Sequence, residues 1–151
     1  MPSFQKVDTS VGTPFGRNEF LRSTKGIKTT SYTFAAASLP PVTIDGNAGQ
    51  KVLQQGTVLA KITSGPDAGK VGVFSAGATD GRQVLTNIVG LNRTFLPWQL
   101  IERDVEVAAV YVCTAVQGWC IEYNASNVAV VLTDTTANAL RGTKGLDILF
   151  Q

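Results

Sequence analysis

The segment DVEVAAVYVCTA, residues 104–115, decides the fold class. Its side chains alternate with a period of two, as in a β-strand, where successive side chains point to opposite faces. Asp104 and Glu106 share one face; Val105, Val107, Ala109, Tyr111 and Cys113 share the other. From Ala108 onward the first face also turns apolar, through Val110 and Val112. A strand apolar on both faces is covered on both. One cover is expected from the chain's own core. In a chain of 151 residues the second is expected from another subunit. Val128 to Leu132 reads the same way.

Working outward, the strand pattern continues. Thr30 to Ala37 reads as a strand with Tyr32 and Phe34 on one face, ending before Pro40 and Pro41. After a turn at Asp45–Gly46, Val52 to Thr63 alternates, with Val58, Ala60 and Ile62 on one side. Gly65–Pro66–Asp67 turns the chain into a short strand over Lys70 to Ser75, a hairpin. A turn at Asp80–Gly81 precedes Gln83 to Leu91, and Leu96 to Ile101, with Pro97 and Trp98, is an irregular crossing segment. Asp134 is expected to cap a short helix over Thr135 to Arg141, stopped by Gly142. Leu146, Ile148 and Phe150 then alternate as a last strand. Leu146 to Gln151 also resembles a viral-protease recognition hexapeptide. Asp147 and Ile148 depart from that pattern, and the segment is read as native. The 17 Val and 17 Thr, both β-branched, favour strands, and the 15 Gly supply turns. The fold class is mainly β.

Composition narrows the chemistry. The chain has no histidine, which removes most nucleophile–base pairs, most zinc sites and the usual proton shuttle. Charged residues are 16%, against about 25% in ordinary domains, and the net charge of +2 is too small to predict nucleic-acid binding. No apolar run is long enough for a membrane-spanning helix, and Met1 to Ser10 lacks the apolar core of a secretion signal. A reducing compartment is therefore expected, with Cys113 and Cys120 as buried thiols rather than a disulfide or a metal site. Gly65, Gly69 and Lys70 only superficially suggest a phosphate loop, because Val71 stands where a hydroxyl is needed and a strand follows. Asp104, Glu106 and Glu122 could be imagined as an acid–base set, yet exposed strand charges are the ordinary explanation. Trp98 and Trp119 are expected in core or subunit packing, since no basic strip runs beside them. No catalytic constellation, metal site or cofactor is expected.

Charge is uneven along the chain. Residues 1–34 carry Lys6, Arg17, Arg22, Lys25 and Lys28 against Asp8 and Glu19, or 5 − 2 = +3; the other 117 carry 8 basic and 9 acidic side chains, or −1. The first segment lacks a clean period and is interrupted by Pro2, Gly12, Pro14, Gly16 and Gly26, yet it holds Phe4, Phe15, Phe20 and Leu21. It is read as an arm over residues 1–34 that orders against a partner, followed by a β-rich domain over 35–151; the alternative is an inert tail.

The order of parts resembles a known family. VLQQGTVLAKIT at 52–63, the glycine-spaced 65–74 and TDGRQVLTNIVGL at 79–91 are similar to the core of tailed-phage head decoration proteins, the capsid-cementing proteins of the phage lambda type. VEVAAVYVCTAV at 105–116 and TTANALRGTKGLDIL at 135–149 look like that family's closing elements. The longer N-terminal region and the cysteine-containing segment at 113–120 depart from it. The resemblance implies a small β-tulip-like barrel with one short C-terminal helix and an extended N-terminal arm. It implies a homotrimer on the outer surface of the phage head, made in the host cytoplasm and bound to the major capsid protein, with no enzymatic activity. Neither direct nucleic-acid binding nor membrane association is implied. Phe4, Phe15, Arg17, Phe20, Leu21 and Arg22 would then belong to the capsid-binding arm, and Trp98, Val110, Tyr111 and Val112 would lie near the trimer contacts. The other readings are a tail-tube or fibre component and, further off, a carboxylate-based hydrolase.

Overall fold

The computed structural model describes residues 20–143 and 145–151. Over these the chain is mainly β, with one α-helix. The strands are β1 (Leu21–Phe34), β2 (Val42–Ile44), β3 (Asn47–Gln50), β4 (Val58–Lys61), β5 (Val71–Val73) and β6 (Ile88–Asn92). After them come β7 (Val105–Ala115), β8 (Ile121–Tyr123), β9 (Ala129–Val131), helix α1 (Asp134–Gly142) and β10 (Asp147–Phe150). The main sheet has the order β1-β5-β4-β6-β7-β10, and β1 also pairs with β7, so the pairings return to β1. β2 and β3 form one separate hairpin and β8 and β9 another.

The 104–115 reading survives as an 11-residue strand that pairs with β1, β6 and β10. Its cover is different from the one expected. Val107 and Ala109 pack into a cluster with Phe34, Leu59, Val71 and Leu100. Val110, Cys113 and Ala115 pack into a second cluster with Leu91, Leu140 and Ile148. Both faces of β7 are thus buried by this one chain, and no second subunit is needed there. Short strands allow it: β4 sends Val58 and Ala60 to one cluster and Leu59 to the other. The change of side along β7 comes from a β-bulge. Thr29 pairs with Val110 and Lys28 with Val112, leaving Tyr111 as an extra residue that inverts the alternation beyond it.

Residues 20–34, expected in the arm, belong to the β body. Leu21 to Phe34 pairs with β7 from Leu21↔Ala115 to Phe34↔Val105. The segment shows no clear period because its outer face is almost continuously exposed Ser, Thr and Lys, while Thr24 to Ile27 bulge out between the pairs at Ser23 and Lys28. Only Phe20, Leu21 and Phe34 are driven fully into the core.

Other boundaries shrink for local reasons. The strand expected over 52–63 is β4 alone, because the chain turns at Gly56. There φ is +84°, and a Cβ would stand 2.9 Å from the Trp119 carbonyl oxygen and 3.0 Å from the Phe20 Cβ. Thr133, rather than Asp134, caps α1: its side chain accepts from the Thr136 N–H at 3.5 Å. Asp134 instead sits in the first turn and Arg141 in the last, each favourable to the helix dipole. Cys113 and Cys120 do not face each other across a hairpin: β7 ends at Ala115, and β8 pairs with β9.

Candidate functional site

The expected arm and interface residues do not gather in one place. Phe4, Phe15 and Arg17 lie outside the described residues. Phe20 and Leu21 are core residues, so in this fold they are not available as anchors for a partner. Arg22 stays exposed and donates to the Gln151 carbonyl oxygen at 3.3 Å. Val110 is fully buried, which removes it from any subunit contact, while Tyr111 and Val112 are half-buried. Trp98 is 62% exposed, on the segment where Pro97 and Phe95 line a groove of about 150 Å³ with Ile44 and Val52. Tyr111 lines a different and larger cleft of about 430 Å³.

A more coherent apolar surface lies on the β8–β9 hairpin. Val128 is 55% exposed, Val131 60% and Trp119 53%. Residues 119 and 131 border the same hairpin, since Ile121 pairs with Val131. β9 pairs only with β8 among the described residues, so its outer edge is open. The residues of β9, Ala129, Val130 and Val131, carry no charge, and neither proline nor a bulge protects them. Apolar open edges of this kind bind other chains. Val128 to Leu132, expected to be covered on both faces, has only Leu132 of its large side chains buried within this chain.

The carboxylates are separate. Asp104 accepts from the Lys70 ammonium at 2.6 Å and from the Ala36 N–H at 2.8 Å, and Lys70 also reaches Asp67 at 2.9 Å. These two donors hold the Asp104 carboxyl below the usual carboxylate range, and Asp104, then Asp67, raises the Lys70 ammonium. Glu106 is exposed; Glu122 is buried, with Oε2 lacking a hydrogen-bond partner. No hydrogen bond or ion pair joins any two of these three carboxylates among the described residues. The Lys70 cluster therefore acts as a clasp, tying the start of β7 to the β4–β5 loop and to Ala36.

The sign of that clasp's pH dependence follows from Asp104. Its folded-state value is depressed, so its stabilisation is complete above the unfolded value, about pH 4, and is lost as pH falls below it. Asp104→Asn is expected to lower stability by about 1 kcal/mol at pH 6 and by little at pH 3. Urea unfolding of both proteins at the two pH values measures the difference.

Both cysteines are buried and unbonded. Burial pushes the Cys113 thiol up to about 11 and the Cys120 thiol up to about 12, so neither is a thiolate at neutral pH. The Cys120 thiol donates to the Val116 carbonyl oxygen at 3.4 Å. Native protein at pH 8 is expected to react with a thiol reagent only as fast as it unfolds, and urea-unfolded protein to release both equivalents at once. Arg82 is likewise structural: its guanidinium binds Asp80 at 3.0 Å and the Val73 and Ser38 carbonyl oxygens at 3.0 and 3.3 Å. No group of three His, Cys, Asp or Glu side chains is placed to hold a metal among the described residues. Comparison of the chain with protein-family models, curated proteins and solved structures finds no match.

Proposed function

We propose that this chain is a head decoration protein of a tailed phage. Three copies assemble over three-fold positions on the outer surface of the expanded capsid and stabilise the shell without covalent bonds. The N-terminal region binds the major capsid protein, and the mainly β body corresponds to the β-tulip of the family that residues 52–91 and 105–149 resemble. The observation that carries the reading is β9, an uncharged apolar edge strand with Val131 60% exposed beside Trp119 at 53%. A monomer in water is poorly served by such an edge, and a subunit in an assembly covers it. Trimerisation also multiplies weak capsid contacts through effective concentration. Binding the expanded shell alone stabilises that shell by linkage.

Sedimentation mass and cryo-electron microscopy of the protein mixed with its phage's empty heads test the reading. The expected results are a particle of three 16.0 kDa chains and trimeric density at three-fold sites. Rings or stalks with bare heads would overturn it in favour of a tail-tube or fibre component.

A further inference from the structure

Two irregularities of the main sheet converge on one cleft. Tyr111 is the extra residue of the β7 bulge. Val89 is the extra residue where β6 pairs Gly90 with Leu59 and Ile88 with Ala60. Both line the 430 Å³ cleft, which lies between the two hydrophobic clusters: Tyr32 and Val89 pack on one, Tyr111 and Leu146 belong with the other. Bulges re-aim side chains next to functional sites. The size is within the range of ligand pockets.

Among the described residues the lining has one sign of charge. Lys61 is exposed on it, with no ion-pair or hydrogen-bond partner for its ammonium among the described residues. Thr30, Thr86, Tyr32 and Tyr111 add hydroxyls, and among the described residues no carboxylate lines the cleft. A cation with several hydroxyl donors and no acid beside it favours an anionic group, such as a carboxylate. The cleft is open to solvent, where one ion pair and a few hydrogen bonds hold a free small anion only weakly. A polypeptide adds contact with the Tyr32 and Tyr111 rings and the Val89 and Leu146 side chains. We infer that this cleft binds an acidic peptide segment of a partner protein, with Lys61 pairing its carboxylate. The inference goes beyond the decoration reading and does not depend on it.

The full chain, labelled with nitrogen-15, is titrated with capped hexaglutamate, hexaserine and hexalysine peptides and with free glutarate. Hexaglutamate is expected to move the amide resonances of Lys61, Tyr111 and Gly145 while the others leave them unmoved. Lys61→Glu is expected to weaken hexaglutamate about tenfold, and Lys61→Arg to retain binding. The unliganded spectrum of each variant shows that the fold is intact. Hexaglutamate binding no better than hexaserine, shifts that map elsewhere, or indifference to Lys61→Glu would overturn the site. Glutarate binding as tightly as hexaglutamate would overturn the peptide as its occupant.

Discussion

A chain lacking residues 1–34 is expected not to fold, whereas one lacking residues 1–19 is expected to fold and to lose its hold on capsids. The longer deletion removes Phe20, Leu21 and Phe34 from the core. Burial of each is worth about 1.5–3 kcal/mol, so the three together approach the about 5–15 kcal/mol by which ordinary domains are stable. It also strips β7 of nine registered partners, from Leu21↔Ala115 to Phe34↔Val105, and opens a long apolar edge. The shorter deletion touches none of these. Circular dichroism and urea unfolding of both truncations, with head-binding assays on the soluble one, separate the two roles. A cooperative transition for the longer truncation would contradict the placement of β1. Undiminished head binding by the shorter one would contradict a capsid-binding N-terminus.

Gly90→Ala is expected to be the most damaging single methyl group in the molecule. Gly90 lies in β6 at φ +145°, where an L side chain is strained, and an added Cβ would meet the Val110 carbonyl oxygen of β7 closer than real Cβ atoms approach backbone. Neither strand can give way easily, because Leu91 and Val110 are registered partners and both are fully buried. The strained dihedral alone costs about 1–3 kcal/mol. With the clash the loss reaches about 4 kcal/mol, in the range of the largest single-residue effects. Gly118→Ala is the control: a Cβ there meets nothing within 4 Å, and stability should stay within about 0.5 kcal/mol. Equal midpoints for the two variants in urea would show that β6 does not lie against β7 as described.

The alternation in residues 104–115 was enough to place β7, because the period of two is a local property of extended backbone. The same holds for the turn chemistry at Asp45–Gly46 and for the existence of the small helix, which includes Gly142 and is capped by Thr143. β1 was harder. Its outward side chains and its bulge hide the period, and its core contribution is concentrated at its two ends. Cys113 and Cys120 read correctly as buried thiols from composition, but that they do not face each other across a hairpin shows only in the strand pairing, β8 with β9. The Tyr111–Lys61 cleft carried no sequence signal, since its residues come from five separate stretches of chain and two bulges bring them together.

By itself, then, the sequence determined the mainly β class, the histidine-free and weakly charged chemistry, and the apolar character of residues 105–115 and 128–132. Those are sums and periods over neighbouring residues. Which apolar faces are buried within the chain and which stay open was decided only by tertiary structure. β7 found both of its covers among residues far away in the chain, Leu21 opposite Ala115 among them, while β9 found one and left Val131 exposed. Cover is a property of long-range pairing, and pairing partners are chosen by the whole sheet at once.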